Sequence, residues 1–370
     1  MIRKKVSLFT GHYWGSKRKA GFHWLALEFI DMGYEVLFFT APVSYMLKVK
    51  GHYQFEFPIQ EEKGKLIEKA PQLYSFVHFT PWHVANLRFK FFNWLSKPVF
   101  RNYQQFKFIQ AEEFIKHSSA IIFESTPGLL LFDKVKRMNP KAKFIYRVSD
   151  DLRMLKVHPN LIHYEKTILD EFDLVSVPSQ YIQETLFSIE RNANIQLQYH
   201  GIDKRSFDQC HSTPYPAGST NLVFIGNNYF DHTFLEVAAD LKPEWTFHII
   251  GPIDNLRSRQ NVVAHGEVPF DQLIAYVKFA NIGLHTLKYF PGAESFTDSL
   301  KIHQYTYCKL PIIAPAFLST QRGNMYYYEA PNKDSIESAL NRAINYQANE
   351  INNLLVSSWK ELANALIVKL

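Results

Sequence analysis

Residues 120–149 read AIIFESTPGLLLFDKVKRMNPKAKFIYRVS, and this stretch decides the fold class. Two runs rich in β-branched and aromatic residues, 120–124 and 143–149, are typical of buried β-strands. Residues 126–138 open with Thr-Pro and are followed by Asn-Pro, which are helix-start and helix-stop signals. A strand, a helix and a second strand in this order form a βαβ unit, so the stretch predicts a parallel sheet.

The same alternation continues on both sides of this unit. Residues 5–10, 35–42 and 174–178 are further strand candidates. Residues 21–32 carry apolar side chains at helical spacing, and Gly33 is a typical C-terminal cap. The first half of the chain is therefore expected to form one α/β domain.

The pattern starts again after residue 205. Residues 209–220 are rich in Ser, Thr, Pro and Gly, as in a linker. The predicted strands beyond it are 221–225, 246–250, 262–265, 282–285 and 310–314, and the predicted helices are 233–241, 270–280, 299–308, 333–348 and 351–368. Two α/β halves are expected, with ligands at the carboxyl ends of their strands and a cleft between them.

The composition is that of a large globular protein. Of the 370 residues, 46% are hydrophobic and 15% are aromatic, which argues against intrinsic disorder and fibrous folds. No apolar run approaches the ~18 residues of a spanning helix, and the N-terminus does not read as a signal peptide. Cys210 and Cys308 are the only cysteines, which favours a reducing cytoplasm over a disulfide framework.

Positive charge is concentrated near the N-terminus. Residues 1–110 hold sixteen Lys and Arg against seven Asp and Glu, which attracts nucleic acid, an acidic membrane leaflet or phosphorylated substrates. Within this region, residues 85–108 carry five basic side chains, no acidic ones and many aromatics, including Trp94. We favour an anionic membrane interface for this segment over an aromatic segment buried on the sheet. Nucleic-acid binding is the weakest alternative, because no nucleic-acid motif accompanies the segment.

The end of the strand at 143–149 supplies a candidate catalytic base. Asp150 and Asp151 follow it directly, and a carboxylate at a strand end can take a proton from a hydroxyl. The alternative for Asp150 is a helix N-cap, a position that Ser and Asp both favour. The sequence has no D-x-D spacing and no His/Cys cluster with zinc-ligand spacing, so we predict no metal.

Basic residues follow the first strand. His12 and His23 flank a Lys-Arg-Lys run at 17–19, and such side chains hold phosphate and other anions. A solvated loop is the alternative. Glu124 is a further polar residue at a strand end on the same half of the chain.

A second anion site is predicted in the other half. Residues 299–305, SLKIHQY, begin a helix whose backbone N–H groups would bind phosphate, with charge added by Lys301. A plain amphipathic helix with Leu300 and Tyr305 inward is the alternative. Gly226 would let the backbone approach a ligand closely, or form an ordinary turn. The sequence lacks the G-x-G-x-x-G and P-loop motifs, which argues against a dinucleotide oxidoreductase and a P-loop NTPase.

The motifs together resemble a known family. The Y-R-x-S-D segment at 146–150 and the S-x-K-x-x-Q-Y segment at 299–305 are the most specific. The other matching segments are His12, 18–20, His23, 122–125, 136–143, 175–178, 200–203, 246–251 and 266–267. In order and spacing they resemble the GT-B glycosyltransferases, most closely glycosyltransferase family 70, which contains the glucuronosyltransferase of xanthan assembly.

The resemblance implies a GT-B fold, an α/β architecture of two Rossmann-like domains with parallel sheets facing a central cleft. Residues 1–205 would form the acceptor-binding domain. Residues 206–348 would bind the nucleotide sugar, and a C-terminal helix at 349–370 would pack back toward the N-terminal domain.

The resemblance also implies an inverting, metal-independent transfer from a UDP-sugar to an oligosaccharide on a polyprenyl diphosphate carrier, as in exopolysaccharide biosynthesis. The enzyme would be cytoplasmic and peripherally associated with the inner face of the cell membrane. Asp150 matches the family's proposed catalytic base. The implied donor-binding residues are Gly226, Asn228, Glu267, Ser299, Leu300, Lys301 and Gln304, and the implied acceptor or anion-binding residues are His12, Arg18, Lys19, His23 and Glu124.

Three positions depart from the xanthan enzyme. Asn228 replaces a Met, Leu287 replaces a Tyr near the nucleotide, and Asp151 replaces a Gly beside the base. Glucuronic acid remains the favoured sugar, and a neutral hexose donor such as UDP-glucose is the alternative. A non-catalytic nucleotide- or glycan-binding partner of a polysaccharide assembly complex is a third possibility. The candidate cations for a donor carboxylate are Lys301, Arg147 and Arg18.

Overall fold

The computed structural model describes residues 3–16, 19–44, 59–81, 86–155, 157–187, 193–226, 229–318, 320, 322–348, 351, 353 and 356–367. The chain divides into two compact units: unit 1 is Met1–Gln198 with Trp359–Leu370, and unit 2 is Tyr199–Ser358. The boundary therefore precedes the predicted residue 205, because Ile202 already pairs with Ser358 inside unit 2. The segment that returns to unit 1 begins at Trp359 instead of residue 349.

Unit 1 is built on a sheet that is parallel except at one edge. Its strands are β1 (Lys5–Thr10), β2 (Glu35–Ser44), β3 (Leu66–Ala70), β4 (Leu73–Thr80), β5 (Ser118–Glu124), β6 (Lys143–Arg147), β7 (Leu174–Val177) and β8 (Ile195–Leu197). Among the described residues they lie in the order β3-β4-β2-β1-β5-β6-β7-β8, with β3 antiparallel to β4. The order reverses at β1 and β5, which is where open parallel sheets bind ligands.

Helices cover both faces of this sheet. The helices of unit 1 are α1 (Gly21–Asp31), α2 (Ile59–Glu62), α3 (Lys90–Leu95), α4 (Lys97–Arg101), α5 (Ile109–Lys116), α6 (Phe132–Met138), α7 (Pro159–Ile168), α8 (Gln180–Phe187) and the C-terminal helix (Trp359–Ile367). Because strand side chains alternate, Leu8 of β1 faces a core under α1 and the C-terminal helix, whereas Phe9 faces a core under α5, α6 and α7.

Unit 2 repeats the plan with a fully parallel sheet. Its strands are β9 (Asn221–Ile225), β10 (Thr246–Ile250), β11 (Val262–Gly266), β12 (Ile282–Leu284), β13 (Ile312–Pro315) and β14 (Met325–Tyr328), in the order β11-β10-β9-β12-β13-β14. Its helices are α9 (Lys204–Gln209), α10 (His232–Leu241), α11 (Phe270–Lys278), α12 (Leu300–Tyr307) and α13 (Lys333–Ile344). Helices α10 and α13 cover one face of the sheet, and α11 and α12 cover the other.

The structure confirms the two predicted parallel sheets and corrects several elements. The helix predicted over 126–138 is a 3-10 turn, Pro127–Leu131, followed by α6, because Thr126 accepts a hydrogen bond from the Gly128 N–H and closes a tighter turn first. The helix predicted over 351–368 begins only at Trp359. The hairpin of β3 and β4 was not predicted, since the short, half-exposed edge strand β3 carries Glu68 and Lys69 and its sequence is typical of a loop.

Candidate functional site

The carboxyl ends of β1, β5 and β6 lie side by side in unit 1. Thr10 ends β1, Glu124 ends β5, and Asp150 follows β6. Since β5 lies between the other two strands, Glu124 is the central group. The sequence predicts His12, Glu124 and Asp150 at strand ends, and the structure brings these three together at one edge of the sheet.

Glu124 is buried and fixed by hydrogen bonds. Its Oε2 accepts from the Thr10 hydroxyl at 2.5 Å and from the Gly11 N–H at 3.3 Å. Its Oε1 lies 3.6 Å from Nε2 of His12. Burial raises the pKa of Glu124, but His12 and the hydrogen bonds outweigh burial and hold that pKa below its ordinary value. Burial alone would lower the pKa of His12, but the charge of Glu124 outweighs burial and raises that pKa above its ordinary value.

Asp150 is presented to solvent on a rigid backbone. The Ser125 hydroxyl accepts hydrogen bonds from the backbone N–H groups of Ser149 and Asp150, each at 3.0 Å. The Asp150 side chain is accessible yet crowded by protein, and this burial, with the charge of Glu124, raises its pKa. The next helix along the described chain, α7, is capped by His158, so Asp150 is not a helix cap. A carboxylate that has a raised pKa and is reachable from solvent is suited to act as a general base.

Two charged residues close to Asp150 in the sequence, Arg147 and Asp151, make hydrogen bonds inside the fold. Asp151 is buried and accepts from Nε of Arg153 at 2.7 Å. Arg147 is also buried and donates to the Gln198 carbonyl at 2.6 Å. Arg147 therefore fastens β6 to the segment after β8, which leaves it poorly placed to meet a donor carboxylate.

His23 holds the loop before α1. Its Nε2 donates to the Tyr13 carbonyl at 2.9 Å, and its Nδ1 accepts from the Ala20 N–H at 3.1 Å. Burial lowers its pKa to about 4, so the ring is neutral at physiological pH. With both nitrogens occupied by backbone, His23 positions the loop instead of making the anion contact that the sequence predicts.

Lys19 belongs to the same loop. Its Nζ donates to the Trp14 carbonyl at 2.9 Å, and burial lowers its pKa. The predicted anion-binding residue Arg18, with Lys17, lies outside the described residues.

In unit 2, the carboxyl ends of β9 and β10 approach each other too closely for side chains. A Cβ atom on Gly251, whose φ is +130°, would lie 1.7 Å from the Gly226 carbonyl oxygen. A Cβ atom on Gly226 would lie 3.1 Å from Nζ of Lys301. The two glycines therefore leave bare backbone beside a lysine. The predicted donor-binding residue Asn228 lies outside the described residues.

Lys301 lies in the first turn of α12 and points at the sheet. Tyr305, one turn later on the same helix face, anchors α12 by donating its hydroxyl to the Val223 carbonyl at 3.0 Å. Nζ of Lys301 lies 4.2 Å from the centre of the Phe224 ring, and no acidic or hydrogen-bonding partner contacts it among the described residues. Burial lowers its pKa to about 7. A half-buried cation without a counter-ion among the described residues favours an anionic ligand.

Buried polar atoms without partners also lie just before α12 and just after β12. Among the described residues, Oγ of Ser299, Nδ1 of His285 and Oγ1 of Thr286 are buried without a hydrogen bond. Buried polar atoms usually have a partner, so these three are candidates for contact with a ligand. The sequence singles out Ser299 but not His285 and Thr286, although polar residues directly after β12 were an available signal.

The other predicted donor residues are spread around this centre. Gln304 is buried in α12, whereas Leu300 is partly exposed at its start. Glu267 is exposed directly after β11. Leu287 is buried and pairs with Phe230, so it supports the fold at that position.

An aromatic surface surrounds α3. Phe89, Phe91 and Trp94 are 62%, 63% and 60% exposed, and Phe92 and Leu95 about half. We call these five residues the α3 patch. It lies within the segment 85–108, which has no acidic residue. The alternative of a segment buried on the sheet is therefore wrong for the α3 patch.

Two observations on the described residues concern metal binding and membrane-spanning helices. They contain no group of three or more His, Cys, Asp and Glu side chains placed to hold a metal ion. No helix among them has the length and apolar content to cross a membrane.

Known proteins are similar to this chain in sequence and in fold. Residues 8–178 match the family described as Glucuronosyltransferase GumK, N-terminal domain. Over 347 residues the chain is 25% identical to the UDP-glucuronate:glycolipid 2-beta-glucuronosyltransferase of Xanthomonas campestris pv. campestris, covering 93% of this chain and 85% of the relative. The chain is a GumK-like glycosyltransferase. The family resemblance carried by the motifs is thereby confirmed.

Solved structures give this GumK-like glycosyltransferase its fold class. An E. coli trehalose-6-phosphate structure bound with UDP-2-fluoro glucose has a TM-score of 0.63 at 9% identity, over 99% of this chain and 96% of that one. Anabaena HepE in complex with UDP-glucose has a TM-score of 0.59 at 12% identity, over 98% of this chain and 95% of that one. At such identities the likeness shows the fold, which is GT-B.

Proposed function

We propose that this GumK-like enzyme moves glucuronic acid from UDP-glucuronate to a lipid-linked oligosaccharide, with inversion and without a metal ion, in exopolysaccharide biosynthesis. The Xanthomonas relative is named for a UDP-glucuronate donor, a glycolipid acceptor and a β product. Two fold relatives were solved with UDP-sugars or analogues. These names support the donor class, and the chemistry of unit 2 supports it independently.

The observation that carries the proposal is the environment of Lys301. Lys301 is half-buried, its ammonium group lies beside the bare backbone of Gly226, and it has no protein counter-ion among the described residues. It lies at the start of an eight-residue helix, whose N–H groups favour anions, next to the unsatisfied Ser299 hydroxyl. A nucleoside diphosphate would supply negative charge and hydrogen-bond acceptors to all of these groups.

The proposed mechanism is a single displacement. The carboxylate of Asp150 takes the proton of an acceptor hydroxyl, whose oxygen forms a bond to the anomeric carbon of the donor. The bond from that carbon to the UDP oxygen breaks on the opposite face, and the electron pair leaves with UDP. Lys301 and the start of α12 stabilise the departing diphosphate, which is the task that a divalent cation performs in other sugar transferases.

The α3 patch supports attachment to the cytoplasmic face of the cell membrane. Aromatic rings enter the interface of a bilayer, and basic side chains are attracted to anionic lipids. The patch exposes its rings, and Arg88, Lys90 and Lys97 lie within the same acid-free segment. A surface of this chemistry would hold the enzyme where a polyprenyl-diphosphate-linked acceptor is found.

A donor screen tests the proposal. Calorimetry in EDTA would compare UDP-glucuronate with UDP-glucose, UDP-N-acetylglucosamine, GDP-mannose and ADP-glucose, followed by UDP release with polyprenyl-diphosphate-linked oligosaccharides. We expect UDP-glucuronate to bind best and to be turned over in EDTA. Preference for UDP-glucose would replace the sugar but keep the reaction. Binding without turnover of any donor would instead favour a non-catalytic nucleotide-binding partner.

A further inference from the structure

The adjacent carboxylates of Asp150 and Asp151 differ in their hydrogen bonds. Asp151 is buried, and its Oδ1 accepts from the backbone N–H of Arg153 at 2.9 Å and from Nε of Arg153 at 2.7 Å. Aspartate side chains commonly accept backbone N–H groups two residues further along the chain. Asp150 is accessible to solvent, and no hydrogen bond reaches its carboxylate from the described residues. The carboxylate of the proposed base is therefore the one that the loop leaves open.

The backbone N–H groups beside the Asp150 carboxylate have a different acceptor. Directly after β6, the Val148 N–H still donates to the Ser176 carbonyl of β7 at 2.9 Å. The next two N–H groups, those of Ser149 and Asp150, both donate to the hydroxyl oxygen of Ser125 at 3.0 Å. A serine oxygen has two lone pairs, so these two bonds use its full capacity as an acceptor.

Ser125 is itself held in place at the end of β5. It follows Glu124, the last residue of that strand, and it is buried. The Thr126 N–H donates to the Glu124 carbonyl at 2.7 Å, and this bond forms a tight turn centred on Ser125. Because β5 and β6 are paired neighbours, the turn lies beside the loop that carries Asp150. The position of the hydroxyl is thus set by the strand and not by the loop.

We propose that Ser125 is a positioning residue for Asp150, which occupies the N–H groups of the loop and so keeps the Asp150 carboxylate free to take a proton. The inference rests on the proposed function, in which Asp150 is the base. In this role Ser125 contacts neither donor nor acceptor and transfers no proton. It acts only through the two backbone bonds that it accepts.

Loss of the Ser125 hydroxyl would leave two N–H groups without their acceptor. Aspartate side chains bond to their own and to neighbouring N–H groups, and Asp151 is already engaged by Arg153. Asp150 is then the carboxylate of this loop that can turn to them. Such bonds stabilise the ionised form, so the pKa of Asp150 would fall and its carboxylate would be a weaker base. It would also point toward its own backbone instead of the acceptor.

The charges that face Asp150 are the same with and without this hydroxyl. Burial raises the pKa of Asp150 most, and Glu124 of β5 raises it further. His12, which follows β1, lowers it, and Asp151 of the same loop raises it. Asp151 is paired with Arg153. Since the test substitutions add or remove none of these charges, a change in the pKa of Asp150 would report its hydrogen bonds.

Substitutions of Ser125 provide the main test. The rate with UDP-glucuronate and a polyprenyl-diphosphate-linked oligosaccharide would be measured across a range of pH. We expect Ser125→Ala to lower kcat by about 10-fold, less than removal of the base, because a misdirected base still acts in part. The acidic limb of kcat/KM should move to lower pH. Ser125→Cys, which keeps a side chain there but accepts weakly, should behave in the same way, whereas Ser125→Thr, which keeps the hydroxyl, should retain most of the wild-type rate.

The pKa of Asp150 gives a readout that does not need turnover. NMR of isotope-labelled aspartate carboxyl groups would measure it in the ligand-free protein, with Asp150→Asn to assign the signal. It should be lower in Ser125→Ala than in the wild type. Ser119→Ala is the matched control, because Ser119 is exposed near the other end of β5, where its hydroxyl donates to the Lys5 carbonyl at 3.0 Å. The control should change neither the rate nor this pKa, and circular dichroism would show which variants are folded.

The outcomes separate this inference from the proposed function. A Ser125→Ala protein with the rate and acidic limb of the wild type would overturn the inference while the transferase activity stands. A slower, folded variant in which neither the acidic limb nor the pKa of Asp150 moves would also overturn it, since Ser125 would then only support the fold. If Ser125→Ala does not fold, Ser125→Cys decides by the same criteria. If the wild-type protein transfers sugar from no donor, the proposed function fails, and the NMR measurement still shows whether Ser125 keeps the N–H groups from Asp150.

Discussion

Replacing Lys301 by Met should make the ligand-free protein more stable and its complex with UDP weaker. Burial lowers the pKa of Lys301 from 10.5 to about 7, and no protein anion among the described residues compensates it. Methionine keeps an unbranched apolar chain against Phe224 and removes the positive charge. The two effects have opposite signs because this charge opposes folding and favours diphosphate binding.

The magnitudes follow from the lowered pKa. At 1.36 kcal/mol per pKa unit, the unfavourable charge amounts to roughly 4 kcal/mol near pH 7. Because Lys301 is partly exposed, we halve this to about 2 kcal/mol, or about 4–8 °C in Tm. The folded pKa is depressed, so the penalty is complete below about pH 7 and disappears as the pH rises to 10.5. Loss of a charged hydrogen bond to UDP, about 1.5–3 kcal/mol, would weaken binding by about 10- to 150-fold.

Thermal unfolding at several pH values and calorimetry with UDP in EDTA would measure both effects. Lys333→Met is the control, because Lys333 is exposed at the first position of α13 in the same unit. It should change neither stability nor affinity. A Lys301→Met protein that is less stable than wild type below pH 7, or that binds UDP as tightly, would refute the reasoning.

Three further variants test other parts of the molecule. Asp150→Asn should lower kcat by about 10²–10⁴-fold with UDP affinity unchanged, and a near-normal rate would remove Asp150 as the base. Gly251→Ala should abolish UDP binding or folding, measured by calorimetry and circular dichroism, whereas Gly323→Ala, which has open space around it, should not. Phe91→Ser with Trp94→Ser should reduce salt-sensitive sedimentation with anionic liposomes at least severalfold, whereas Tyr289→Ser, at an equally exposed aromatic in unit 2, should leave it unchanged.

Much of the fold was predictable because parallel strands buried on both faces leave a strong local signal. Residues 120–124 and 143–149 are apolar and β-branched, and both are strands with nearly the predicted bounds. The edge strand β3 was missed because it is short and carries adjacent charged residues, so only its pairing with β4 distinguishes it from a loop. Local patterns report burial well and long-range pairing poorly.

The candidate site was predictable in its location and less so in its contacts. The rule of strand ends identified Glu124, Asp150 and Gly226. It could not distinguish His12, which meets a buried carboxylate, from His23, whose nitrogens are both taken by backbone. It also could not show that Lys301 has no counter-ion in the described part of the chain, because that depends on the side chains of every neighbouring element. Which groups contact a side chain, and whether any group does, depends on the tertiary structure.

The C-terminal helix has a consequence for how the chain is made. Trp359 packs over Gly21 of α1, and Leu362 and Leu366 complete the same core beneath α1. A ribosome synthesises these residues only after the whole of unit 2. Unit 1 therefore begins to emerge first but cannot finish folding until unit 2 has been made. Until then, the apolar surface of β1 and α1 that the C-terminal helix covers is exposed. We therefore expect nascent chains that stop before Trp359 to bind chaperones and to be cleaved by proteases.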